Sequence, residues 1–319
     1  MRSPPKRRSR SAEISAVAGR VTLLHRLEYL AFRGAVAALR ALPERWALAL
    51  GGSVGWLAGS LLRVRRGVAD ANLARAFPDR DPRWRDRVAR ASYRTLGREA
   101  VATFLFAGEP AERVRARTPD PLGEAALLEA VRAGRGVVLL TGHFGNWEMA
   151  GGAAAARGAP LAAVAARQAN RLFDDALVAN RARLGIATIR RGDARREVMR
   201  ALREGRVVGM VADQDARRRG AFVDFLGTPA STVRGPALFA LRAGAPLFLG
   251  TCVALPGQPG RYRCEVEEVR CDRTGDVAED VRRLTAAHAA ALTERVRREP
   301  EQYFWQHRRW RTPPPAGGV

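Results

Sequence analysis

Lysine is nearly missing from this chain of 319 residues: Lys6 stands alone among 55 basic side chains, and all the others are arginine. Acidic residues number 32, which leaves a formal charge of +23. Cysteine (3) and histidine (4) are scarce as well. Cys252, Cys264 and Cys271 are an odd number without C-x-x-C spacing, in a chain too large to need disulfide staples. They are expected to be reduced packing residues. His25, His143, His288 and His307 form no recognisable zinc pattern, so no metal is expected. There is no G-x-x-x-x-G-K-[ST] segment and no strand-following G-x-G-x-x-G, which argues against nucleotide chemistry on a phosphate-cradling loop. No apolar stretch directly follows the basic opening MRSPPKRRSR, so a cleaved secretory signal is not expected; residues 1–20 read as a disordered basic arm.

What the chain does have is enough apolar content, 47%, for a real core. Its positive charge seeks anionic partners: nucleic acid, acidic phospholipid or an acidic protein. The excess runs along the whole chain, and no zinc-finger, RRM or KH signature accompanies it, so nucleic acid is the weakest of the three. Val21–Leu42 repeats apolar residues at helical spacing, interrupted by Arg26, Arg33 and Arg40, and reads as an amphipathic helix. Trp46–Leu62 then runs without a charge and carries Gly51, Gly55 and Gly59 at every fourth position. At about 1.5 Å per residue it is slightly short of a bilayer's hydrocarbon core. An interface-lying region is the first reading, with a buried helical hairpin and a single span as alternatives.

After a helix near Trp84–Phe106 and a proline-punctuated linker over Pro110–Pro121, strands and helices alternate. Strands are expected at Gly136–Thr141, Leu161–Ala166, Ala187–Ile189, Val207–Ala212, Pro246–Ala254 and Tyr262–Val269. Helices are expected between them and over Val277–Arg298. Near-continuous apolar strands separated by helices give an α/β fold, a mostly parallel central sheet flanked by helices, preceded by an N-terminal helical membrane-associating region. Such sheets place their sites at the carboxyl ends of strands.

The first such loop reads Thr141-Gly142-His143-Phe144-Gly145-Asn146-Trp147-Glu148. With His143 in the loop and Glu148 in the first turn of a helix, the carboxylate can accept one imidazole N–H while the other nitrogen takes a proton from a bound hydroxyl. The alternative is a buried His capping the helix. Asp213 and Asp215 read as loop and cap residues or as supports of a site. Arg190 and Arg191 read as a solvated face or a phosphate rim, and Tyr303, Trp305 and Trp310 as C-terminal packing or an interfacial aromatic belt.

HFGNWE (143–148), ADQD (212–215), FVDFLGTPAST (222–232), GPALFALRAGAPL (235–247) and QYFWQHRRWRT (302–312) stand in the order seen in bacterial lipid A secondary acyltransferases of the lauroyl/myristoyl type, and RRGVADANLARAFPD (65–79) resembles the same family's lead-in. The resemblance covers roughly residues 21–312 of the chain. It implies transfer of a fatty acyl group from an acyl thioester, on acyl carrier protein or CoA, to a hydroxyl of an anionic membrane lipid at the cytoplasmic face of the inner membrane. No cofactor and no nucleic acid would take part. His143 would be the general base and Glu148 its orienting partner. Arg167 would bind a phosphate or the oxyanion, although the family's aromatic-Arg-Pro is here Ala166-Arg167-Gln168. Phe225, Gly227 and Thr228 would contact the acceptor, Pro246 would match a further block, and Asp213 would join the substrate site. The lipid could be a lipid A precursor, a phosphatidylinositol mannoside or a lysophospholipid, and a silent lipid-binding relative is the alternative to an enzyme. On this reading residues 21–120 form the membrane-associating region, 121–312 the acyltransferase domain and 313–319 a flexible tail.

Overall fold

The computed structural model describes residues 21–315. The basic arm expected over 1–20 lies outside the described residues, as do positions 316–319 of the expected tail. Helices α1 (Leu23–Ala41) and α2 (Glu44–Ser60) are followed by α3 (Arg66–Ala76), α4 (Pro82–Leu105), α5 (Ala111–Arg117) and α6 (Glu124–Arg132). Strand β1 (Val137–Thr141) then begins an alternation with α7 (Trp147–Ala156), β2 (Leu161–Ala165), α8 (Arg171–Arg183), β3 (Ala187–Arg190), α9 (Ala194–Arg203) and β4 (Val207–Val211). A hairpin of β5 (Ala221–Phe225) and β6 (Thr228–Thr232) precedes α10 (Gly235–Ala243), β7 (Leu247–Ala254), β8 (Tyr262–Val269) and α11 (Val277–Arg298).

Six strands form one sheet in the order β3-β2-β4-β1-β7-β8, parallel except for β8, which runs antiparallel to β7. The apolar runs of β1 and β4 explain their central place, since Val137, Val138, Val207 and Val208 are fully buried between helices on both faces. This is the mostly parallel, helix-flanked sheet that the alternation implies. Crossovers carry the chain from β1 past β4 to β2 and later back from β3 to β4. The loops after β1 and β4, adjacent strands, therefore open at the same edge.

The glycines of α2 are used inside the protein. Gly51, Gly55 and Gly59 are buried against α4, and a Cβ on Gly55 would lie 2.0 Å from the Tyr93 carbonyl oxygen. Gly97 of α4 answers them: its Cβ would stand 2.2 Å from the Gly51 carbonyl. Among the described residues no helix is long and apolar enough to cross a membrane, so segment 46–62 does not form the single span kept as an alternative. The outward faces of α1 and α2 and the turn after α2 stay apolar and exposed, notably Leu23, Leu24, Leu30, Trp46, Leu61 and Leu62.

Two local readings change, and one element is added. The linker expected over 110–121 contains helix α5, because Arg117 donates to Glu44 (2.8 Å) and Glu109 (2.6 Å) and ties the segment to α2. The FVDFLGTPAST block folds into the β5–β6 hairpin. Cys252 and Cys264 are not reduced packing residues but a disulfide. The antiparallel register of β7 and β8 sets them directly opposite, 4.1 Å apart at Cα, a pairing their spacing does not reveal. Cys271 remains free.

Candidate active site

His143 lies two residues past the end of β1, in a loop held by three backbone hydrogen bonds. Its backbone carbonyl accepts from Phe304 N–H (2.9 Å), Gly145 N–H donates to Gln302, and Asn146 N–H donates to Cys252 (2.8 Å). Asn146 caps α7 by accepting from Met149 N–H, and its amide donates to the buried carboxylate of Glu99 (3.0 Å), which also accepts from Tyr262 Oη (2.8 Å). A buried carboxylate without such donors would be costly, so this network fixes the loop as well as satisfying Glu99.

The imidazole is oriented by Asp213, past the end of the neighbouring strand β4. Asp213 accepts twice from one residue, from His143 Nδ1–H at 2.7 Å and from its backbone N–H at 2.9 Å. With Nδ1 protonated, Nε2 keeps a lone pair toward the cavity, where Gln214 Nε2 stands 3.4 Å away. Burial favours the neutral imidazole, but the charge and hydrogen bond of Asp213 outweigh it and hold His143 above its usual value of 6.5. Burial works against the Asp213 carboxylate too, yet His143 beside it keeps Asp213 well below the ordinary carboxylate range.

The expectation that Glu148 takes the imidazole N–H is therefore corrected. Glu148 is on the cavity wall, in the first turn of α7, but both its oxygens accept from the Arg181 guanidinium of α8. The reach of α8 across the mouth of α7 supplies a bidentate partner, and the imidazole's partner comes from β4. Sequence spacing favoured Glu148, five positions away, over Asp213, seventy away. Only the adjacency of β1 and β4 makes the second the neighbour.

The other expected site residues are dispersed. Arg167 is exposed and does not line the cavity. Phe225 is buried under the site, packed on Tyr303 and Trp310, with Arg309 over its ring at 4.9 Å. Gly227, at φ 82°, makes the turn of the β5–β6 hairpin with Leu226, and Thr228 opens β6 opposite Phe225. Pro246 precedes β7, where its carbonyl accepts from Val138 N–H. Arg190 pairs with Asp174 (2.7 Å), whereas Arg191 lines the cavity. Tyr303 and Trp305 are fully buried, which corrects the aromatic-belt reading for them: with Gln302 and Phe304 they clamp the His143 loop. Asp215 holds the same C-terminal segment through Thr312.

The cavity above Nε2 measures about 1390 Å³. Leu96, Phe104, Leu177, Leu238, Phe239 and Val281 give it an apolar wall, and Arg217, Arg219 and Arg234 stand on its rim. That volume exceeds the roughly 300–1,000 Å³ of sites for a single drug-sized molecule.

Comparison with known proteins gives a consistent set of relatives. A sequence model described as bacterial lipid A biosynthesis acyltransferase matches residues 19–312. The lipid A biosynthesis palmitoleoyltransferase of Escherichia coli is 29% identical over 83% of this chain and 85% of its own length. The phosphatidylinositol mannoside acyltransferase of Mycolicibacterium smegmatis is 30% identical over 74% of this chain and 78% of its own. The lipid A biosynthesis lauroyltransferase of E. coli is 27% identical over 83% and 85%.

Proposed function

Since the chain belongs to the bacterial lipid A biosynthesis acyltransferase family and is an acyltransferase, we propose that it moves a fatty acyl group from an acyl-carrier-protein or CoA thioester to a hydroxyl of a lipid A precursor or a related anionic glycolipid. His143 is the general base of this reaction and Asp213 its orienting partner. The acceptor hydroxyl gives its proton to His143 Nε2 as its oxygen attacks the thioester carbonyl carbon. The tetrahedral intermediate then expels the thiolate, which takes the proton back from the imidazolium. Asp213 holds the tautomer that makes Nε2 the acceptor and favours the cation formed in transit.

The observation that carries this reading is the Asp213–His143 pair, its carboxylate buried and its imidazole opening onto a cavity with an apolar wall and an arginine rim. A thioester is already activated, so a base, an oxyanion donor and a lipid groove suffice for the chemistry. Arg217, Arg219 and Arg234 suit the anionic headgroup of the acceptor because a guanidinium stays charged and binds phosphate with two donors. Glu148 takes part through Arg181, whose guanidinium it holds at the cavity wall. The exposed apolar faces of α1 and α2, flanked by arginine, rest on the cytoplasmic face of the inner membrane. A phosphatidylinositol mannoside is the second acceptor, favoured by the mycobacterial relative. Mass spectrometry of lipids from a deletion strain tests both: one glycolipid should lose one acyl chain and regain it when the intact gene, but not His143→Ala, is returned. An unchanged lipid profile would reject the reading.

A further inference from the structure

Beneath the His143 loop, three side chains of the C-terminal segment, Tyr303, His307 and Arg309, approach the Asp213 carboxylate, and all three are buried. Among the described residues each keeps one buried polar atom without an aligned hydrogen-bond partner: Tyr303 Oη, His307 Nε2 and Arg309 Nε. Buried polar groups are seldom left so, because an unused hydroxyl in a dry interior costs stability. Arg309 is largely spent elsewhere, its terminal nitrogens donating to the Ser231 carbonyl and to Thr232 Oγ1. His307 can only accept at its open position. Its Nδ1–H donates to the Phe304 carbonyl at 3.0 Å, and burial keeps the ring neutral, so Nε2 carries a bare lone pair.

The Tyr303 hydroxyl is therefore the free donor of this pocket, and two acceptors compete for it. The tyrosine ring stands edge-on to His307 at 6.0 Å between centroids. Asp213 is the stronger acceptor. Each of its oxygens takes one hydrogen bond from His143 and keeps a further lone-pair position open. A bond to an ionised carboxylate is about twice as strong as one between neutral groups. Burial, and then the charge of Asp213 within hydrogen-bonding range, push the phenol well above its usual value, so Tyr303 stays protonated and able to donate. Its place is fixed by an antiparallel bridge between Tyr303 and Phe144, the neighbour of His143, and by ring packing on Phe225 and Trp305.

Resting on the acyl-transfer reading above, we propose that Tyr303 is a positioning residue for the transfer: its hydroxyl donates to the Asp213 carboxylate, fixes the rotation of that carboxylate against the imidazole, and tempers its pull on the His143 proton. Without this donor the carboxylate is more basic. His143 then holds its proton more tightly, and less free base stands ready at neutral pH. The other titratable and charged groups around the pair are His307 and Arg309 of the same segment. From α11 come Leu292, beside Gly142, and His288, which faces Arg309; β5 brings the apolar Phe225. A Tyr303→Phe change leaves all of them in place.

The chain has four histidines, so their imidazole carbons can be labelled and titrated one by one by NMR, each signal assigned by its own substitution. In Tyr303→Phe, which deletes one oxygen, the His143 ionisation should rise by about one pH unit. On the acid side of the profile kcat/KM should then fall about tenfold, with a smaller loss on the alkaline plateau. In an Asp213→Asn background the same change should leave the His143 ionisation where the Asn put it. A ring-fluorinated tyrosine at position 303 keeps ring and hydroxyl but donates more strongly; it should move His143 the other way, and it decides by the same titration if Tyr303→Phe fails to fold. An unmoved His143 ionisation in a variant that melts like the wild type, or a shift of equal size in the Asp213→Asn background, overturns the proposal. So does a change confined to the His307 signal, which would make His307 Nε2 the acceptor. A wild type inert toward every donor would instead overturn the acyl-transfer reading alone, because the titration needs no turnover.

Discussion

Asp213 gives His143 three things at once: a fixed tautomer, an anchored backbone N–H and a raised pKa. Removing the base by His143→Ala is expected to lower kcat by about 10²–10⁴-fold with little change in melting temperature, measured as thiol release from the donor. Asp213→Asn keeps the volume but loses the charge. The free base is the active form, so the rate should rise with pH through a single ionisation above 6.5 in the wild type. Burial then acts unopposed in Asp213→Asn, and its pKa should fall below 6.5; a profile that does not move would separate Asp213 from the base. His143 was legible in the sequence because an apolar strand runs straight into it, while its partner was not. The spacing that made Glu148 attractive is local, and the pairing that counts crosses two strands adjacent only in the folded sheet. Arg181 was missed for the same reason, since nothing in a helix that starts six residues past the second strand's end announces that its guanidinium reaches back to α7.

At the scale of elements, α2 and α4 meet where side chains are missing. Gly55→Val places a branched side chain against the Tyr93 carbonyl and should destabilise the protein by about 1–3 kcal/mol or more, read as a shift of the urea midpoint. A variant as stable as the wild type would show that the two helices do not need this contact. The periodicity of α2, the alternation of β1 to β4 and the length of α11 were plain from the residues, because each buries a continuous apolar run or stripe. Helix α3 and the β5–β6 hairpin were not, because their roles are tertiary. Asn72 of α3 donates to the carbonyls of Trp305 and His307, and Arg309 donates to Ser231 and Thr232 of β6. Polar side chains spent on distant backbone leave no periodic signal. Asn72→Ala should therefore loosen the C-terminal clamp on the His143 loop and lower activity, while Asn72→Asp would add an unpaired buried charge and cost more.

For the whole molecule, two buried histidines set the acid limit of stability. Burial, with Arg309 nearby, pushes His288 down to about 3, and burial also lowers His307. Groups held neutral in the fold but protonated when unfolded draw the equilibrium toward the unfolded chain as pH drops below about 6.5. Stability should fall by up to about 1.4 kcal/mol per pH unit for each such group. Urea midpoints across pH 7 to 4 check this, and His288→Gln should flatten the slope. The +23 charge and the exposed leucines of α1 bear on where the protein works. Sedimentation with anionic vesicles should decline as salt rises and decline further in Leu27→Asp/Leu30→Asp. The central claim, that His143 oriented by Asp213 transfers an acyl chain to a lipid hydroxyl, is tested most directly by one assay. Purified wild type, His143→Ala and Asp213→Asn are each mixed with an acyl-carrier-protein thioester and lipid A precursor in vesicles, and the lipid product is weighed by mass spectrometry. The account expects one added acyl chain with the wild type and almost none with either variant at matched folding; a His143→Ala protein that acylates the lipid at the wild-type rate would contradict it.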